Sequence, residues 1–548
     1  MSKLFKKIFS GSTLDNLILG FLVIILIIPI ISIVFVAFSA DENIWPHLIS
    51  TVLPDYVLTT ILILIGVSFL TFLIGTGLAW IITIYEFPFR KIFEWLCLLP
   101  LAMPTYIIAY SYGELLDYTG VVQSSLRQIF GWQTIQDYWF PNIFSTSGGI
   151  FLMSFVLYPY VFLTARAAFM RQSTTLIEAS RTLGFSFNQS FTRIALPIAR
   201  PGIVIGLILV MMECLNEFAA FEYFGINSLT VGVYVTWLEK GNLQGATQIT
   251  LCIFFLIGFF IFLERKMRQN RAFSFKDTRL SNSRRLTLSK KGGYTFFIIC
   301  LTPVLIGFVL PSWLLLSFVI ERLNEIQFSN FVNLFFNSFI LSAISSFIAL
   351  IVALYLVISS SSSKNILTKA AISISRLGYA FPGIILALGV IIVLSIIDKI
   401  IDHTSLLLFG SLSSIIISGG LIGVFYAYIS RFLTVSYGTI DAGFSTLNSN
   451  LADASRILGM GKYETLKKVQ IPIIKPAIIM AILLVFIDTM KELPATLILR
   501  PFNFDTLATN VYTYASLSDI QNAALPSLTI VIAGLLPVIL INRELTKS

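Results

Sequence analysis

Twelve apolar runs, each about as long as a helix needs to cross a bilayer, alternate with short polar stretches: 17–39, 57–85, 91–112, 148–170, 200–218, 246–263, 294–320, 332–359, 367–396, 405–433, 474–494 and 523–541. A helix rising about 1.5 Å per residue covers the hydrocarbon layer in roughly 20 residues. Six runs precede and six follow a polar, basic stretch. The pattern predicts an all-α polytopic membrane protein of twelve transmembrane helices. Its first half is 1–263, its second 294–548, and a linker, 264–293, joins them.

Composition agrees with the pattern. Of the 548 residues 56% are hydrophobic and 12% charged, against about 45–50% and about 25% in soluble domains, which excludes a soluble globular enzyme. Cys97, Cys214, Cys252 and Cys300 all lie in apolar runs without paired spacing, so they read as small core residues rather than a zinc site or disulfide framework. The only histidines are His47 and His403, too few for a histidine-based membrane enzyme.

The net charge of +9 is concentrated: from Glu264 to Lys291 there are ten Lys/Arg and two acids. A basic stretch between apolar runs marks a cytoplasmic loop beside anionic lipid rather than a nucleic-acid site. Lys3, Lys6 and Lys7 precede the first run. Arg90/Lys91, then Arg171, Arg181, Arg193 and Arg200, fall in alternate connections. The positive-inside rule then places both termini and the linker in the cytoplasm. Ala37-Phe38-Ser39 resembles a signal-cleavage site, but the first run is long and has a counterpart from Tyr294 to Ile320, so it is expected to stay as a helix.

Comparison of the chain with itself reveals a repeat. Glu178-Ala179-Ser180-Arg181-Thr182-Leu183-Gly184, leading to Leu196-Pro197 and Pro201, recurs as Asp453-Ala454-Ser455-Arg456-Ile457-Leu458-Gly459, leading to Ile471-Pro472 and Pro476, at a constant separation of 275 residues. Glu213 and Glu217 match Asp488 and Glu492 in the same register, and Pro104 falls opposite Pro382. Six runs per half make the copies parallel repeats about an axis along the membrane normal. The repeated stretch is too polar to cross. It reads as a surface hairpin: a short helix from Leu176 to Leu183, a break at Gly184, and a second helix ending at a proline.

These residues resemble the permease subunits of ABC-type importers, whose cytoplasmic signature is Glu-Ala-Ala, three residues, Gly, nine residues, Ile, any residue, Leu-Pro. The first copy departs from it at Ser180. The second has Asp453, Ser455, Val469 and Ile471 in place of the commoner residues. The resemblance implies that Glu178, Ala179, Ser180, Gly184, Leu196 and Pro197, with Asp453, Ala454, Ser455, Gly459, Ile471 and Pro472, form coupling helices docking on ATP-binding subunits. Fusion of two halves, the stretch from Met490 to Ala508 and Leu215-Asn216-Glu217-Phe218 are similar to ferric-iron importer permeases. Fused thiamine and phosphonate-type permeases share the architecture and remain alternatives.

The resemblance further implies two ATPase subunits carrying ATP and Mg, no cofactor on this chain, and a substrate-binding protein on the outer face of a bacterial cytoplasmic membrane. The chain has no phosphate loop of its own: Gly459-Met460-Gly461-Lys462-Tyr463 lacks the spacing and the hydroxyl. A twelve-span secondary transporter, the competing class, would leave the duplicated hairpins unexplained.

Carboxylates in apolar runs are costly and tend to mark function. Glu213 and Glu217 share a helix face one turn apart, as do Asp488 and Glu492, and facing pairs of oxygen ligands suit a hard cation. They are candidates for the substrate path, although Glu217 and Glu492 equally suit helix-end caps or partners of Lys491 and Arg500. Tyr158, Tyr160 and Tyr223 read as packing or aromatic-belt residues.

Overall fold

The computed structural model describes residues 13–39, 44–170, 180, 182–269, 286–325, 327–362, 366–411, 416–447, 451, 454–455 and 457–547. Among them, nine continuous helices are long and apolar enough to cross a membrane, and the number rises to eleven if each of two bent helix pairs crosses once. Helix Leu53–Ile84 shows why the surrounding medium must be apolar. Ile63, Leu64, Val67 and Thr71 are buried, while Leu58, Leu62, Ile65, Phe69 and Leu73 on the opposite side are each at least half exposed. A helix oily on its outer as well as its inner face belongs in lipid.

The structure redraws two of the expected runs. The run 91–112 is not one helix but Arg90–Leu96, a tight turn Leu99–Ala102 and Thr105–Leu116. Pro104 bars its predecessor from helical geometry, and Met103 is extended with ψ 113°. Pro382 acts likewise on Phe381, splitting the run 367–396. The expected boundary between the ninth and tenth runs is corrected as well. Residues 405–409 complete helix Gly383–Phe409, which ends at Gly410 in the left-handed region (φ +69°). The next helix is Leu421–Ser445, long enough to span but less apolar, with Arg431 and Asp441 in it.

The chain forms two compact units, and these are not its sequence halves. One comprises residues 1–44, 236–251 and 327–510; the other comprises 45–235, 252–326 and 511–548. In the first, helix Thr13–Ala37 lies against Gly383–Phe409. The Ser32 hydroxyl donates to the Gly389 carbonyl at 3.2 Å, and Tyr426 donates to the carbonyl of Ile25. Leu19 and Leu26 share a core with Leu356, Leu433, Tyr437 and Ile440. The opening helix of the first half is thus seated among helices of the second.

The other unit is built on Leu53–Ile84, Thr146–Met170 and Leu196–Asn216. Val161, fully buried, lies at their junction: a Cβ on Gly75 would come within 2.8 Å of the Val161 Cβ, and one on Gly206 within 2.8 Å of its Cα. Only glycine lets the three backbones approach so closely. Here too a first helix comes from the other half. The segment Lys290–Val304, Leu305–Val309 and Leu310–Glu321 packs in this unit, and Tyr112 donates to the Ile306 carbonyl at 2.8 Å. Just before that segment, Leu286–Thr287 pairs in parallel with Tyr85–Glu86.

Candidate functional site

The two copies of the repeated hairpin share their main features where they are described; Glu178, Ala179 and Asp453 lie outside the described residues. Each first arm ends at a glycine in the left-handed region, Gly184 at φ +84° and Gly459 at φ +80°. The N–H of the following residue closes the end, Phe185 to the Ser180 carbonyl at 3.1 Å and Met460 to the Ser455 carbonyl at 3.0 Å. This is the six-residue closure of a helix capped by glycine at C′.

Two side chains per hairpin point inward and join the arms. Ser180 is bonded to Ser190 at 2.6 Å and Ser455 to Thr465 at 2.7 Å, all four residues being buried. The tips face outward: Leu183 and Leu458 are each 77% exposed, and Ile457 and Ala454 are exposed beside them. Each second arm passes through a π-helical turn, Phe191–Ala195 or Leu466–Gln470, into Leu196-Pro197 or Ile471-Pro472. In both copies the aliphatic residue is half-buried and the proline exposed.

The copies diverge beyond that point. Helix Leu196–Asn216 runs on through Pro201, whereas the second copy turns by 70° at Ile474 before helix Lys475–Met490. The same proline therefore ends in a continuous helix in one half and a bend in the other.

The four candidate acids lie in two places, Glu213 and Glu217 in one unit and Asp488 and Glu492 in the other. Glu217 stands at the C-terminal end of Leu196–Asn216 with its side chain turned inward. Oε1 accepts from the Ala220 N–H at 2.9 Å, at the start of helix Ala219–Tyr223, and Oε2 accepts from the Thr105 hydroxyl. Glu492 occupies the matching place before helix Pro494–Leu499 and accepts from the Ala495 N–H at 3.3 Å. Threonines bond the backbone carbonyls of both, Thr230 that of Glu217 and Thr496 that of Glu492. Each carboxylate thus caps the N-terminus of the short helix that follows it, where the sequence suggested a cap on the end of its own span.

The partners expected from the sequence are corrected. Glu492 pairs with neither Lys491 nor Arg500. Its carboxylate is bonded to Arg431, whose Nη1 lies 2.7 and 2.8 Å from the two oxygens, with both residues buried. Lys491 pairs instead with Asp488 at 2.8 Å, and Arg500 with Asp505.

Sequence reasoning missed Arg431, though its signal was present: it is a lone base inside an expected apolar run, a placement that is costly without a partner. The other half shows what it replaces. Tyr158, Phe162, Leu163 and Thr164 align with Tyr428, Phe432, Leu433 and Thr434, placing Val161 at the position of Arg431. Thr105, one residue after Pro104, likewise matches Gly383, one residue after Pro382. A side chain at Gly383 would overlap both Arg431 and Glu492. One half thus holds its glutamate with a threonine hydroxyl. The other removes that side chain and fills the room with a guanidinium.

Tyr158 is fully buried, and Tyr223 packs edge-on against Tyr110 at 4.7 Å, consistent with packing. Among the described residues, no three His, Cys, Asp or Glu side chains come together as a metal-ion site would require.

The comparisons with known proteins match the chain in two blocks. Residues 71–269 and 357–545 both fit the family described as "Binding-protein-dependent transport system inner membrane component". The Fe(3+)-transport system permease protein FbpB 2 of Haemophilus influenzae is 25% identical over 500 residues, covering 89% of each chain. Shorter stretches resemble the sulfate transport system permease protein CysT of Salmonella typhimurium, 26% identical over 33% of this chain and 57% of that one. The molybdenum transport system permease protein ModB of Escherichia coli is 26% identical over 33% of this chain and 76% of its own. These relatives are transport permeases and not enzymes. With both of its repeats matched and several apolar helices able to cross a bilayer, the chain is a multi-pass membrane protein that belongs to the binding-protein-dependent transport system inner membrane component family.

Proposed function

We propose that this chain is the permease of an ATP-driven importer of ferric iron. It would cross the membrane twelve times with both termini inside, and residues 1–263 and 294–548 would form the two permease halves. The observation that carries the reading is the doubled hairpin with an exposed leucine at each tip, Leu183 and Leu458. Two such tips suit two ATPase subunits, one per hairpin, and those subunits would hold the ATP and Mg. A ferric-iron cargo is supported by the likeness to the Fe(3+) permease along nearly the whole length of both chains. The partial likeness to sulfate and molybdenum permeases favours an oxyanion as the second reading. Cells lacking this chain should take up less labelled ferric iron and unchanged sulfate and molybdate; the reverse pattern would establish the oxyanion.

In this reading Glu213, Glu217, Asp488 and Glu492 line the passage. Glu217 is the most telling of them, because a hydroxyl and a backbone N–H hold its carboxylate. Glu217→Gln keeps shape and hydrogen bonding but removes the charge that attracts a cation. Uptake should fall at least tenfold while the assembled complex still hydrolyses ATP. Parental uptake in an assembled Glu217→Gln complex would leave the acid as a cap alone.

Orientation is tested by thiol labelling. A cysteine near Thr134, in the long base-poor loop between Gly113 and Ser147, should react from outside intact cells. One near Ser281, which lies outside the described residues, should react only after the inner face is opened. The opposite result would place the hairpins on the wrong side for any ATPase.

A further inference from the structure

We propose that the buried hydroxyl pair in each hairpin is the joint that fixes the angle between its arms, and so carries ATPase movement into the next membrane helix. This rests on the reading of the hairpins as ATPase contacts, and it assigns a positioning role to four residues, Ser180, Ser190, Ser455 and Thr465. Ser180 and Ser455 are the two places where both copies depart from the alanine of the importer signature. In both copies a second hydroxyl, ten residues on, meets the departure. In each copy the two buried hydroxyls serve as partners for one another across the arms, as buried polar groups require. Both members of the pair recur in both halves at the same separation of 275 residues, and the two are bonded in each.

The Ser180 and Ser190 hydroxyls lie 2.6 Å apart, where either can donate to the other, and the Ser190 hydroxyl is also 3.1 Å from the Ser186 carbonyl. Ser186 and Gln189 lock the second arm further, Ser186 N–H donating to Gln189 Oε1 at 2.9 Å. Between the bonded hydroxyls the chain is exposed at Leu183 and Gly184, and at Ile457, Leu458 and Gly459 in the other copy. A push on the tip reaches the second arm both along the chain, through a left-handed glycine, and across the hydroxyl bridge. The bridge lies directly before the π-helical turn that leads into Leu196-Pro197 or Ile471-Pro472.

The experiment uses the full complex, purified with the ATPase subunit that accompanies it and reconstituted with the binding protein loaded with labelled ferric iron. Thr465→Val keeps the shape of threonine and removes its hydroxyl, and Ser190→Ala does the same for serine. The double variant should transport about fivefold less iron per ATP hydrolysed, with ATPase still bound and hydrolysis persisting. Thr465→Ser and Ser190→Thr each keep a hydroxyl and should retain the parental ratio, which a purely steric role for these positions would not predict. An unchanged ratio in Ser190→Ala/Thr465→Val overturns the proposal. The underlying reading is tested separately, by crosslinking from cysteines placed at Leu183 and Leu458. No crosslink to the ATPase in the otherwise parental chain removes the docking surface, and the joint with it. A crosslink together with an unchanged ratio removes the joint alone.

Discussion

Arg431→Met, made with Glu492 left in place, is expected to destabilise the protein by about 3–5 kcal/mol, the usual consequence of stranding one member of a buried ion pair. Arg431 Nη1 reaches both oxygens of the Glu492 carboxylate, and both residues are buried. Methionine fills most of the volume and supplies no hydrogen. The carboxylate would then keep only the Ala495 N–H. The loss should appear as a lowered melting temperature of the detergent-solubilised protein and a reduced yield from membranes. Replacing both residues, Arg431→Met with Glu492→Leu, should recover most of the stability, because paired buried charges exchanged for apolar groups of similar volume are often neutral or better. The other half has Val161 at the arginine's position but keeps its glutamate, which a threonine hydroxyl holds in the arginine's stead. An Arg431→Met protein that melts at the parental temperature would refute the view that this pair holds its unit together.

The second large effect is expected at the hairpin glycines. Gly184 and Gly459 have φ of +84° and +80°, where a β-branched residue is a steric outlier. Gly459→Val should abolish uptake and weaken retention of the ATPase subunit while leaving membrane insertion intact, since the residue lies outside the spans. Nothing lies within 4 Å of a Cβ at either glycine. The effect must therefore come from the backbone and not from crowding. That separates two substitutions of similar bulk: asparagine, which tolerates the left-handed region, should retain far more uptake than valine. Equal uptake in the glycine, asparagine and valine proteins would remove the hairpin's shape from the mechanism.

Much of this was legible in the sequence because it depends on long-period signals. Apolar runs report burial in lipid, and a repeat kept over a separation of 275 residues reports a duplicated unit; both survive without any knowledge of packing. The hairpin break was legible because Gly184 and Gly459 punctuate a helical pattern, and the structure places both in the left-handed region. The course of the chain near Met103 and Phe381 was less so. Both residues sit in apolar runs, and a proline bends a run without changing its hydropathy. The pairing of Arg431 was not legible because a lone base in an apolar run has no partner within its own stretch of sequence. Its partner lies 61 residues away, beyond any local pattern. The inward turn of Ser180 and Ser455 was not readable at all, since a serine in a polar stretch is ordinarily solvated.

The exchange of opening helices between the sequence halves sets a timetable for synthesis. Helix Thr13–Ala37 leaves the ribosome well before its seat, since Gly389 and Tyr426 are made some 350 to 400 residues later. At a typical elongation rate of about 5–20 residues per second it must wait on the order of half a minute inside the membrane without its native neighbours. Each unit is closed by a helix from the opposite half, so neither core can be completed while only one half has been made. Joining the halves in one chain supplies both closing helices in equal number and holds the early one near its seat until that seat exists. The linker therefore serves assembly as much as it serves the finished transporter.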